Sequence, residues 1–211
     1  EDALIRLSKL IVSTNPPFSP DAQGVKAEIA LLDSGYKLPQ ELRRFYDWWA
    51  QLPTGTWLRE ELFPLAAVMT LENAIGTRQD LLSINRQAPR ELRAEIETWS
   101  QQPIIDRYAI AEPVFGWHKQ WLPVFEFNGE YWFTICDIEE RLTSPIYHTF
   151  LEGGIFLAYD NLTTLLLSTA EAFECGVYYI QDQRIQQHYT LAASLIDKHN
   201  PLRRAYLLNT A

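Results

Sequence analysis

The residues that could carry chemistry in this chain are few and scattered. Its four histidines, His118, His148, His188 and His199, include no pair at the three- or four-residue helical spacing that places two ligands on one metal, so local sequence predicts no metal site. There is no G-x-S-x-G elbow, P-loop or G-x-G-x-x-G, and Cys136 and Cys175 lack the neighbours of an activated nucleophile. His148 alternates with Ile146 and Phe150 on a predicted strand and reads as a histidine hydrogen-bonded within a sheet. Glu126 and Asp137 lie on successive strands, where a carboxylate pair would suit acid–base work. Counting outward from Asn128-Gly129 pairs 127 with 130 and 126 with 131, which sets Asp137 opposite Gln120, far along the ladder from Glu126. Spacing therefore predicts no catalytic residue and no cofactor.

Recognition is better represented. Trp117-His118-Lys119-Gln120-Trp121 brackets three polar residues with two indoles ahead of a predicted hairpin, and Tyr131 and Trp132 follow. Exposed rings beside acids make protein-binding hot spots, since the rings supply affinity and the acids steer a basic partner. The candidate partner-binding residues are Trp117, His118, Trp121, Glu126, Tyr131, Asp137 and Glu152, with part of the Trp117–Trp121 segment expected at the surface. A hydrolase using His118 or His148 with a nearby acid is the alternative from another class, and an oligomerisation domain is a third.

These residues need elements to place them. Leu122 to Phe127 and Tyr131 to Cys136 are rich in aromatic and β-branched residues, and Asn128-Gly129 between them favours a two-residue turn in which both residues take positive φ. Phe125 and Phe127 face one way, Leu122 and Val124 the other. A hairpin apolar on both faces belongs in the middle of a sheet. Ile146 to Leu151 and Ile155 to Tyr159 predict a second hairpin across Gly153-Gly154. Asp160 or Asn161 then caps a helix with Leu162, Leu165, Leu166, Ala170 and Phe173 on one stripe, and Gly176 stops it.

The order Trp121, Pro123-Val124-Phe125, a Gly129 turn, a strand ending at Asp137, Pro145-Ile146, then a helix with Leu162 and Leu166 resembles the SUKH superfamily. That group includes fungal cell-wall-assembly regulators, the SecY-interacting protein Syd and bacterial immunity proteins. Leu38-Pro39-Gln40-Glu41-Leu42-Arg43-Arg44-Phe45-Tyr46 is similar to the family's first core helix and Leu62-Phe63-Pro64-Leu65 to its first strand, so the resemblance covers residues 36–176. It departs from the family in the aromatic Trp48-Trp49 and in the stretch between the first strand and Trp117. It implies a non-catalytic protein-binding role, as an immunity protein or a regulatory scaffold.

Composition narrows the partner. With 211 residues, 47% of them hydrophobic, the chain can bury a core as one domain, here expected at 36–176 with helical extensions 1–35 and 177–211. A net charge of −9, with no run of basic residues longer than two, argues against nucleic acid and for a basic protein partner. No stretch approaches the roughly 20 apolar residues of a membrane span, no signal-peptide pattern is visible, and two cysteines suggest buried thiols, so the cytoplasm is expected.

The remaining pattern completes an α+β reading: a mostly antiparallel sheet of four to six strands, packed helices, and extra helices at both ends. Ala3 to Val12 is helical; Val25, Ile29 and Leu32 predict a second helix; Leu42, Phe45, Tyr46 and Trp49 form one stripe of a core helix behind Pro39. Leu62 to Met69 reads as an edge strand because of Pro64. Thr70 to Asn85 and the segment behind Pro89 are helical, the latter with Leu92, Ile96 and Trp99 inward. Ile104 to Phe115 is a strand or extended link. Gln183 to His199 reads as one helix with Ile185, Tyr189, Ala192 and Ile196 on a stripe.

Overall fold

The computed structural model describes residues 2–12, 35–51, 62–63, 66–102, 104, 116–149, 154–182 and 184–210. Its elements are α1 (Asp2–Val12), α2 (Gln40–Ala50), β1 (Ala67–Val68), α3 (Leu71–Asn85), α4 (Arg90–Gln101), β2 (Trp121–Phe127), β3 (Glu130–Ile135), β4 (Ile146–Thr149), β5 (Ile155–Tyr159), α5 (Leu162–Glu174), β6 (Tyr178–Gln181), β7 (Arg184–Gln187), α6 (Tyr189–His199) and α7 (Pro201–Thr210). Strands β1 to β5 form an antiparallel meander in chain order, and β6 and β7 form a separate ribbon. The fold is α+β. The predicted helix at 25–32, the strand or link at 105–115 and residues 150–153 lie outside the described residues.

The central hairpin turns where expected: Asn128 and Gly129 have φ of 51° and 84°, the pair of positive values a tight primed turn requires. Glu126 faces Tyr131 and Phe127 faces Glu130. Beyond that the ladder slips by one residue between Pro123 and Phe125. A bulge adds an unpaired residue and breaks strict alternation, so Leu122, Val124 and Phe125 all join one core. The slip also moves Gln120 opposite Cys136, whose N–H it accepts at 2.7 Å, and leaves Asp137 bridged to Lys37 instead.

The sheet separates two cores, which is why its middle strands are apolar on both faces. One side packs Leu42, Phe45 and Trp49 of α2, Leu7 of α1 and Leu162, Leu165 and Leu166 of α5 against Leu122, Phe125 and Ile146. The other packs Trp117, Trp121, Phe133, Ile135, Tyr147 and Leu157 beneath Leu81, Leu82 and Trp99 of α3 and α4. Because Leu7 of α1 is fully buried in the first core, the packed body begins before residue 36.

The reading of 183–199 as one helix is corrected. Arg184–Gln187 pairs antiparallel with Tyr178–Gln181, and α6 begins only at Tyr189. Asp182 supplies the positive φ of 52° that the turn needs, a role an aspartate can fill without glycine. The 177–211 extension is thus a ribbon plus two helices. Its stripe is spent within the chain: Ala192 packs with Ala172, Val177 and Tyr178, while Tyr189 is exposed.

Two carboxylates tie the layers together. Asp160 accepts the N–H groups of Leu202 (3.0 Å) and Arg203 (2.7 Å) at the start of α7, and buried Asn200 accepts from the Asp160 N–H and the Thr164 hydroxyl. Glu41, in the first turn of α2, accepts from the N–H groups of Ser144, Leu162 and Thr163 and from the Thr163 hydroxyl, at 2.9 to 3.3 Å. It therefore caps α5, whose own cap Asn161 holds Thr164, and fixes the approach to β4. Burial pushes the Glu41 carboxyl up, against the pull of those four donors. Glu41→Ala strands all four, and it is expected to lower stability by about 3 kcal/mol, read as a lower urea midpoint at unchanged slope. Glu41→Gln, which keeps an acceptor oxygen, should lose less than half of that.

Candidate functional site

The sequence-derived site residues separate into three places. Trp117, His118 and Trp121 are 5%, 1% and 0% exposed, so the expectation of a surface aromatic segment is overturned. The reason is that His118 and Gln120 are satisfied inward, while half-exposed Lys119 reaches Gln101 Oε1 at 3.1 Å. A turn closed by Trp121 N–H to His118 carbonyl (3.0 Å) folds the segment beneath α3 and α4. Asn85 grips the Trp117 backbone through both its amide nitrogen (2.7 Å) and its oxygen (2.8 Å), and Arg78 donates to the Lys119 carbonyl (3.0 Å). Gln120 bridges Ile104 N–H and Cys136 carbonyl. Gly116 permits this approach, since a Cβ there would meet Ile96 Cγ2 at 2.9 Å and its φ is 119°. Trp121 stacks on Phe133 at 4.2 Å and meets Trp99 and Trp117 edge-on, so these rings hold the second core.

Glu126 and Tyr131 stay together as direct partners across the hairpin, both half-buried. Desolvation, Glu126 and Asp80 of α3 all push the Tyr131 hydroxyl up, so two carboxylates sit close enough to act on it. Ile84, one helical turn beyond Asp80, is 54% exposed, and Phe127 at the hairpin end is 44% exposed. Asp80 and Ile84 were missed from sequence; their four-residue spacing was visible, but their neighbours were not.

Asp137 lies at the other end of β3, on a loop held against the start of α2. Pro39 caps that helix without a side-chain bond, and the Gln40 and Glu41 N–H groups instead donate to the Arg141 (2.8 Å) and Leu142 (3.1 Å) carbonyls. The loop exposes Ile138 and Leu142 and neutralises its acids locally, Glu140 with Arg43 at 2.7 Å and Asp137 with Arg141 at 3.4 Å. Asp137 therefore does not join Glu126 in one patch. Glu152 lies outside the described residues.

A histidine and a carboxylate do meet, at His148, one of the two histidines named for the hydrolase alternative. His148 Nε2 is 3.1 Å from Glu130 Oε2, and its ring stacks on Trp132 at 3.8 Å with Phe156 edge-on at 5.1 Å. Desolvation pushes the imidazolium down against the opposing pull of Glu130. A pocket of about 120 Å³ touches Trp132 but is lined by neither His148 nor Glu130. Among the described residues, no group of three or more His, Cys, Asp or Glu is placed to hold a metal ion. Nor is any described helix long and apolar enough to cross a membrane.

His118 makes the burial testable. Its Nε2 lies 2.8 Å from the Gln102 carbonyl and its Nδ1 accepts the Gln120 N–H at 3.1 Å, an arrangement that fixes the neutral Nε2-protonated ring. Burial pushes its pKa down from 6.5 to about 4. Between those values the unfolded chain binds more protons than the folded one. The stabilisation is therefore complete above 6.5 and lost as pH falls towards 4. Urea unfolding across this range should show wild type losing on the order of 3 kcal/mol more than His118→Gln. Compared with known proteins, the chain matches no family model and no curated sequence at a significant level.

Proposed function

We propose that this chain is a non-catalytic protein-binding module that docks a basic protein surface on the flank of the β2–β3 hairpin. The observation that carries this reading is the grouping of Asp80 and Glu126 around half-buried Tyr131, with Ile84 exposed one helical turn beyond Asp80. The two carboxylates acting on Tyr131 steer a basic partner, and the apolar groups supply contact area. The net charge of −9 adds to the steering. Because the hairpin root is locked between two cores, little order has to be gained on binding. With the SUKH resemblance, the role this suggests is that of an immunity protein or a regulatory scaffold acting in the cytoplasm.

A small-molecule hydrolase using the His148–Glu130 pair is the second reading, favoured by their 3.1 Å contact. The pocket described nearby is lined by Trp132 and by neither member of the pair.

The test is made on a partner captured from host lysate at low salt by a photo-reactive phenylalanine analogue in place of Ile84. The captured protein should be basic, and its association with the Asp80→Lys/Glu126→Lys chain should be slower by about tenfold, with the salt dependence reduced and circular dichroism unchanged. Ile84→Ala should instead speed dissociation. An association rate equal to wild type in the charge-reversed chain would overturn the proposal.

A further inference from the structure

The sheet face bearing Phe125 and Trp132 is not wholly covered by α5. Between that face, α5 and the ribbon-helix unit at 177–200 lies a half-open pocket of about 120 Å³. Phe125, Trp132, Leu165 and Ile196 line it, together with Tyr159, Tyr178 and Gln187, which carry hydroxyl and amide groups. None of the ten described residues that line it carries a charge. The hydroxyl of one of them, Thr169, is already committed to the Leu165 carbonyl at 3.0 Å.

We infer that this pocket binds an uncharged, single-ring aromatic molecule bearing one hydroxyl or carbonyl group. Size sets the first limit: an apolar cavity of about 150 Å³ admits benzene, so this one takes a single ring and not a fused system. Charge sets the second, because an ion here would lose its hydration with no counter-ion in the lining to replace it. Polarity sets the third. A mostly apolar wall favours an apolar body, while Tyr178 and Gln187 offer a donor and an amide to one polar substituent. Burial pushes the Tyr178 hydroxyl up, which keeps it protonated and able to donate. The aromatic lining favours a ring over an alkyl chain, through offset and edge contacts.

The experiment titrates the full chain with phenol and with benzoate, following thermal unfolding and the Trp132 indole resonance, which Trp132→Phe assigns. Phenol at millimolar concentration should raise the melting temperature and move that resonance, with benzoate at least tenfold weaker. Gln187→Leu should weaken phenol several-fold while sparing toluene. Leu165→Trp, which fills the pocket, should abolish phenol binding without lowering the melting temperature, and Ile196→Trp provides the same block should the first variant misfold. Equal responses to phenol and benzoate, no response to phenol, or phenol binding retained in a folded, filled variant would each overturn the assignment.

Discussion

The contact on which the rest of this fold depends is the Glu41 carboxylate. It belongs to the first turn of α2, yet its four donors lie 103 to 122 residues away, before β4 and at the start of α5. A largely desolvated carboxylate is tolerated only where hydrogen bonds replace its lost water, and here the first N–H groups of α5, the Ser144 N–H and the Thr163 hydroxyl supply them. One side chain thereby fixes the helix before the sheet, a strand within it and the helix that closes it. The loop that exposes Ile138 and Leu142 is set by the same corner, since its carbonyls cap the helix that carries Glu41.

The sheet works as a partition. Its middle strands are apolar on both sides because helices cover both, and the bulge at Pro123–Phe125 sets how side chains are divided between the two cores. The outer end of the hairpin escapes this covering, and there acids and exposed apolar groups gather. Rigid root and open tip are two results of one ladder.

Much of this was legible in the residues. The Asn128-Gly129 turn, the paired ribbons, the edge position of the strand beside Pro64, the Leu42–Phe45–Tyr46–Trp49 stripe and the helix from Leu162 to Gly176 each follow from local rules of period, capping and turn chemistry. What failed was non-local. Polar residues between two indoles looked like a wet surface, because the Asn85, Arg78 and Gln102 groups that hold this segment come from 16 to 41 positions upstream. The stripe across 185–196 fitted a helix, but Asp182 could take positive φ and Tyr178–Gln181 offered a strand to pair with. Period alone cannot weigh a partner that is elsewhere in the chain.

The Asp160–Asn200 clasp has a consequence for motion. The unit it anchors, β6, β7, α6 and α7, packs on α5 through a small cluster of Ala172, Val177, Tyr178 and Ala192 that is separate from the two main cores. Such a unit can swing away and return while both main cores remain folded, as a sub-global opening with its own equilibrium. Amide hydrogens in the ribbon would then exchange through a cheaper route than those of the meander. Since Tyr178, Gln187 and Ile196 belong to this unit, such an excursion would also take apart the pocket that they line.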